Sequence, residues 1–332
     1  MLARELQLQL AEKAGRAPSP HNIQPARWRF GGHDVELHEL ASRWLRVGDP
    51  TGRDNRIALG MAWEGMAIAV SEHGWTLGEP MLDAAGYPAD TATRVIARAQ
   101  LLHQDKPDPL VHQLERRRCY RGVFADSDPQ QVLRRIGQCV AGHCSSVSII
   151  PDKLRPSIAA WHDGASADGL RDPQFARELY QWMRFSPRNP QWQRDGLAAD
   201  CLGLSTIETW GAAVAMHPTV VRVLAAAGLA KTLVSEADKV RSAAALVLLH
   251  CPATLGDFAF GRAWYRFWLE LAQADLCGVP MSALADSQRH SQLLVEACPL
   301  PAEHRLINVM RIGVAPGAIA RSARLPAREL LL

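Results

Sequence analysis

Two short segments concentrate the side chains that could do chemistry. The first is Ala17-Pro18-Ser19-Pro20-His21-Asn22-Ile23-Gln24-Pro25, which sets Ser, His, Asn and Gln between prolines. Short polar side chains on a proline-stiffened loop can hydrogen-bond the edge of a flat heteroaromatic ring, and the same composition also makes an ordinary turn. The second is Arg116-Arg117-Arg118-Cys119-Tyr120-Arg121-Gly122, with four arginines in six residues. Guanidinium forks at that density can chelate a phosphate; a solvated basic loop or a nucleic-acid patch has the same composition. No other comparable Lys/Arg cluster occurs and the net charge is only +3, which weighs against nucleic acid.

The markers of several other chemistries are missing. There is no G-x-G-x-x-G, no G-x-x-x-x-G-K-[ST], no H-E-x-x-H and no G-x-S-x-G. The seven cysteines include no C-x-x-C, so reduced thiols are expected rather than a disulfide framework or a zinc site. Scattered histidines such as His73 and His250 are expected to be structural. No residue stands out as a catalytic acid or base, and none is assigned. No apolar run is long enough to span a membrane, and the start MLARELQLQLAEKAGRAP lacks the apolar core of a signal peptide. A cytoplasmic chain without membrane or metal is expected.

Several elements must position those segments. Residues 3–16 form an amphipathic helix with Leu6, Leu10 and Ala14 on one face, closed by Gly15 and Pro18. Apolar runs at 28–30 and 34–40 flank Gly31-Gly32 and predict a hairpin. After the turn Asp49-Pro50-Thr51-Gly52, the clearest helix runs over 54–73, with Gly74 as its stop. Gly60 and Gly65 would let another backbone approach it closely. Residues 78–102 read as two short strands, and 103–118 as a polar connection. Asp128-Pro129 and Asp172-Pro173 each pair an N-cap with proline at the first helical position. Strands are expected at 147–150, 243–250 and 306–314, an apolar helix at 261–277 stopped by Gly278, and a mostly helical insertion over 186–240. The mixture of helices and strands argues an α+β fold.

Taken together, the two segments resemble signatures of the nitroreductase family of flavoproteins. Ala17 to Pro25 is similar to that family's A-P-S-x-x-N-x-Q-P-W, with Ala26 at the aromatic position and Trp28 two residues later. Arg117-Arg118-Cys119-Tyr120-Arg121 resembles R-R-S-x-R, with Cys119 at the serine. Arg311-Ile312-Gly313 and Ser322-Ala323-Arg324-Leu325-Pro326 resemble the closing R-x-G strand and the R-x-P phosphate segment, and Val279-Pro280-Met281-Ser282 falls where the family sets backbone beside the flavin N5. In ordinary members the arginine segment opens the chain; here it follows the other. That order resembles the fused, pseudo-dimeric Acg-like branch.

The resemblance implies a nitroreductase-like fold of two related halves, with mixed or antiparallel sheets covered by helices. The first half is 1–112. The second is 113–332, carrying the insertion of about 186–240, in which the apolar stretch 211–228 is expected to form a lid. It also implies one FMN per chain. Pro18, Ser19, His21, Asn22 and Gln24 would meet the ring, with Pro280, Met281, Ser282 and Ala283 near N5. Arg117, Arg118, Arg121, Ser322 and Arg324 would meet the phosphate, and Cys119 the ribityl chain. Electron pairs would pass from NAD(P)H to an electron-poor acceptor such as a nitroaromatic or quinone. The alternatives are FMN storage without turnover, favoured if a lid closes the cleft, and a pathway-specific flavin dehydrogenase or oxidase. The chain would act as a monomeric pseudo-dimer or a loose homodimer.

Overall fold

The computed structural model describes residues 2–83, 92–143 and 145–332. The strands are β1 (Ala26–Gly31), β2 (Asp34–Leu40), β3 (Trp75–Leu77), β4 (Met81–Leu82), β5 (Thr93–His103), β6 (Val147–Ile149), β7 (Met183–Arg184), β8 (Leu197–Ala198), β9 (Ala245–Pro252), β10 (Cys277–Pro280) and β11 (His304–Gly313). They form an antiparallel sheet in the order β1-β2-β5-β3, with β4 also on β5, and an antiparallel sheet in the order β10-β11-β9-β6. A short parallel pair, β7–β8, stands apart. The α+β expectation holds.

Two helices meet at the centre of the main core. The first, Arg53–Ser71, is buried on nearly all sides, as a helix apolar around its circumference should be. The second is Asp257–Gln273. Around them the core gathers Trp28, Leu37 and Ala97 from the first sheet and Val247, Leu249 and Ile312 from the second. The helices cross at almost backbone contact. A Cβ on Gly60 would lie 2.1 Å from the Phe258 carbonyl oxygen, and one on Gly261 2.1 Å from that of Ile57. The two contacts are reciprocal, which is the pattern of a two-fold interface.

The hairpin turns where expected, with Gly32 at φ 62°. The chain's last residues return to it: Trp28 N–H donates to the Leu330 carbonyl at 2.7 Å and Leu332 N–H to the Trp28 carbonyl at 2.8 Å, laying the buried Leu330 and Leu331 beside β1. Asp128 and Asp172 cap the helices Pro129–Ala141 and Pro173–Trp182, each carboxylate accepting two backbone N–H groups.

Other expectations need correction. In place of two short strands over 78–102 there is one long strand, β5, and the two-residue β4; residues 84–91 lie outside the described residues. The alternation of buried Ala97, Ala99 and Leu101 with exposed Arg98 and Gln100 carries the period of β5 past the expected end. The apolar helix ends at Gln273, not Cys277; the chain turns at Asp275, φ 55°, and Gly278 lies inside β10. Helix Arg155–Arg171 was not anticipated. Its small residues and its buried His162 and Asp163 blur the helical period. Finally, the region 186–240 is helical only from Thr206; residues 186–205 are turns and β8. Its helices Thr206–Ala215 and Pro218–Ala226 come after, and the second packs on Arg155–Arg171 and Pro173–Trp182. No described helix is long and apolar enough to cross a membrane.

Candidate functional site

The two segments singled out by residue type meet in one cleft of about 360 Å³, a volume in the range of small-molecule sites. Pro18, Ser19, His21 and Asn22 form one wall, Arg117, Cys119, Arg121, Ser322 and Arg324 another, and Pro280, Ser282 and Ala283 a third. Local backbone strain marks the first wall. His21, Asn22 and Gln24 all adopt positive φ, at 45°, 57° and 50°. Non-glycine residues there cost of order 1–3 kcal/mol each and persist where the surroundings over-determine them.

What over-determines the loop is a set of side-chain staples. Asn22 Nδ2 donates to the carbonyls of Ala323 (3.0 Å) and Gly196 (3.2 Å), while its Oδ1 accepts from Arg324 at 2.9 Å. Gln24 Nε2 donates to the Arg194 carbonyl at 2.8 Å and its Oε1 accepts the Leu325 N–H at 2.8 Å. Ser19 Oγ accepts the Gln24 N–H at 2.9 Å. The loop is thus sewn to residues 322–325, three hundred residues along the chain.

Three expected ligands are spent elsewhere. Gln24 is buried in those staples and does not line the cleft. Arg118 turns back to the carbonyls of Glu115 and Arg117. Met281 puts its N–H on the Val309 carbonyl at 2.7 Å and its side chain into the second core cluster. The residues 211–228 expected as a lid are not among the cleft's lining; from the insertion only Leu197 and Cys201 line it.

The arginine end carries charge without counter-charge. Arg117 is buried, donates to the Arg16 carbonyl at 2.9 Å, lies over the Trp268 ring at 4.8 Å, and leaves Nε without a partner. Arg324 donates to the carbonyls of Gly15 (2.7 Å) and Arg16 (3.0 Å) as well as to Asn22. All these acceptors are neutral. Among the described residues no carboxylate pairs with Arg117, Arg121 or Arg324, whereas Arg43, Arg56 and Arg184 each pair with one and Arg53 with two. Burial and then the neighbouring Arg117 pull the Arg324 guanidinium down to about 9. Burial, helped by Arg121, likewise pulls His21 down to about 4, so its imidazole is neutral at physiological pH.

A positioning residue supports it from below. Arg311, fully buried on β11, donates to the carbonyls of Gly122 (3.0 Å) and Arg121 (2.8 Å) and lies 5.0 Å from the Phe124 ring centre. It fixes the backbone from which Arg121 projects. The apolar wall comes from the second central helix, whose Trp264 and Trp268 stack 6.0 Å apart with planes 12° from parallel, and from Ile57 and Met61 of the first. The Trp264 Nε1 donor is buried without a partner.

The opposite end of the cleft was not foreseen in the sequence. Asp49, Asp54 and Asp286 line it around one cation, Arg53, which reaches Asp54 at 2.8 Å and Asp286 at 2.6 Å. The buried Asp49 caps the first central helix by accepting the Asn55 N–H at 2.8 Å. Burial, then Asp54, lifts its carboxyl to about 6; burial and Asp54 lift Asp286 to about 7 against the pull of Arg53. The turn at 49–52 was legible, but its approach to Asp286 is a matter of tertiary contact.

That elevation has a sign. A carboxyl at about 6 in the fold and 3.8 when free is protonated in the native chain, and released in the unfolded one, between those values. The contribution of Asp49 to stability therefore falls as pH rises through about 4 to 6 and levels off above. Asp49→Asn should flatten that fall, read as urea midpoints from pH 4 to 7. An unchanged slope in the variant would show that Asp49 does not titrate there.

No family model matches the chain. Two Mycobacterium tuberculosis proteins whose names describe them as candidate NAD(P)H nitroreductases do: acg is 27% identical over 173 residues, 51% of each chain, and Rv3131 is 32% identical over 177 residues, 51% of this chain and 48% of that one. The chain is similar to both proteins over about half its length. It spans about half the length of the curated relatives it matches. Among solved structures it is similar to the FMN-dependent nitroreductase NfnB from Mycobacterium smegmatis in complex with NADPH, at 17% identity, covering 62% of this chain and 89% of that one, with a TM-score of 0.35. It is also similar to iodotyrosine deiodinase bound to FMN and 3-iodo-L-tyrosine, at 13% identity, 65% and 94% coverage and a TM-score of 0.35.

Proposed function

We propose that the chain binds one FMN in this cleft and carries electron pairs from NAD(P)H to an electron-poor acceptor such as a nitroaromatic or quinone. The observation that carries the reading is the pairing of an arginine end without counter-ions and a cavity walled by tryptophan and aliphatic side chains. Such a cavity suits a planar ring joined to a phosphate. The names of the relatives point the same way. Bound there, FMN would supply the two-electron chemistry itself.

The chain's own residues would do the rest. Arg117, Arg121 and Arg324 hold the phosphate, with Ser322 beside them. Pro18, Ser19, His21 and Asn22 border the ring from the first half, residues 1–112, and Pro280, Ser282 and Ala283 from the second, residues 113–332. Cys119 lies along the ribityl chain. Trp264, Trp268 and Met61 exclude water from one side. Asp286, its carboxyl lifted to about 7, can hold a proton near neutral pH, a source for the reduced acceptor that the sequence did not offer. The storage reading rested on a lid, and residues 211–228 contribute nothing to the cleft's lining.

An absorbance spectrum of the purified protein, followed by anaerobic NADPH, tests this. Flavin bands that bleach within seconds are expected. Flavin bands that persist would point to storage or another donor, and a protein that cannot be loaded with FMN would overturn the reading.

A further inference from the structure

A second cavity, of about 520 Å³, lies across a thin wall from the arginine end of the cleft. The wall is built from two segments. In residues 197–201, Leu197 and Cys201 face the cleft while Ala198 and Asp200 face the second cavity. In residues 322–324, Ser322 and Arg324 line both. Cys201 of the first segment and Ser322 of the second both line the cleft.

The second cavity continues the chemistry of the first. Arg16 and Arg321 join Arg324 on its lining, as do Gln193 and Trp192. The two acids present are already engaged. Glu12 pairs with Arg16 at 2.9 Å, and the Asp200 carboxylate accepts the Cys201 N–H at 2.7 Å. Arg321 and Arg324 have no carboxylate partner among the described residues, so the cavity keeps positive charge to offer. A phosphate resting on Arg324 would have Arg321 within the adjoining space for a second phosphoryl group. On the same lining, an indole and a primary amide suit a purine, by stacking and by hydrogen bonds to its edge.

Resting on the flavin reading above, we propose that the chain takes the dinucleotide FAD as well as FMN, with the adenylyl half in the second cavity. The ring and first phosphate lie as FMN's would. The pyrophosphate crosses at Ser322, the second phosphoryl meets Arg321, and adenine lies on Trp192. Neither Arg321 nor Trp192 lines the flavin cleft, so the two halves of the ligand can be probed separately.

The test is titration of the flavin-free protein with riboflavin, FMN and FAD, followed by quenching of flavin fluorescence, in the wild type and in a Trp192→Ala/Arg321→Gln double variant. FAD is expected to bind at least as tightly as FMN in the wild type. The double variant should weaken FAD about tenfold or more, the scale of one charge-assisted hydrogen bond, and leave FMN unchanged. AMP alone should compete with FAD in the wild type and not with FMN. FMN binding without FAD binding would overturn the inference and spare the flavin reading. So would equal losses for FMN and FAD, which would make Arg321 part of the common phosphate site, or an FAD affinity untouched by the double variant. A protein that binds neither flavin would overturn both.

Discussion

Arg324→Gln is expected to weaken FMN about 30- to 150-fold, corresponding to the loss of a charge-assisted interaction of about 2–3 kcal/mol. Arg324 is the guanidinium with the most to gain from an anion. It is pressed against Arg117 and satisfied only by neutral oxygens, and its proton affinity is lowered to about 9. A dianionic phosphate would supply the missing counter-charge, in surroundings where charges are screened less than in water. Arg118→Gln is the matched control. It removes a charge two residues from Arg116 in the same cluster, but its side chain turns back to the Glu115 and Arg117 carbonyls, so a loss of no more than a few fold is expected. Fluorescence titration gives both affinities. Thermal melting adds a second reading, because a ligand that binds only the native state raises its stability by an amount set by ligand concentration over Kd. The FMN-induced rise in Tm should be large in the wild type, nearly the same in Arg118→Gln and much reduced in Arg324→Gln. Equal losses in the two variants would mean that the cluster acts as a diffuse field, and the assignment of Arg324 as a direct phosphate ligand would fall.

The contrast between these two arginines also shows what sequence could and could not say. Residue type and density singled out Arg116 to Arg121 and Ala17 to Pro25, the family resemblance joined them into one expected site, and residues of both line one cleft. Which members point inward depends on backbone direction over one or two residues. Arg117 and Arg118 are neighbours in sequence, yet Arg117 lines the cleft and Arg118 does not. Gln24 has the right chemistry for a ring contact, but a buried amide must satisfy its own donors and acceptors, and here it does so on Arg194 and Leu325. The carboxylate end was invisible for a different reason. Asp49 and Asp54 lie more than 230 residues before Asp286, and no local pattern announces that they converge. In the fold, strong periodicity was reliable and weak periodicity was not. The helix 53–71 and the buried strand 245–252 were legible from their apolar runs. The helix 155–171 was missed because its inward face carries His162, Asp163 and small residues, which signal neither helix nor strand.

Gly60→Ala and Gly261→Ala should each be among the most damaging single-methyl additions in the chain, costing about 3 kcal/mol or preventing folding. In an exposed helix the same change would stabilise by up to about 1 kcal/mol, because alanine is the better helix former. Sterics reverse the sign here. The added Cβ would lie 2.1 Å from a carbonyl oxygen of the facing helix, Phe258 for Gly60 and Ile57 for Gly261, and the opposing group is backbone, which cannot rotate away. Relief requires the helices to separate, and overpacking of that kind costs roughly 1–3 kcal/mol and at times more. Separation would reach function as well, since Ile57 and Met61 on one helix and Trp264 and Trp268 on the other line the same cleft. A variant that still folds should therefore lose FMN affinity along with stability, although neither glycine lines the site. Gly137→Ala is the comparison: it lies in the helix Pro129–Ala141, and an added Cβ would meet nothing within 4 Å. Its expected effect is neutral or slightly stabilising. Urea unfolding of the three variants, with FMN titration of those that fold, separates the outcomes. If Gly60→Ala and Gly261→Ala proved as benign as Gly137→Ala, the close crossing of the two central helices would be wrong, and with it the placement of the cleft between them.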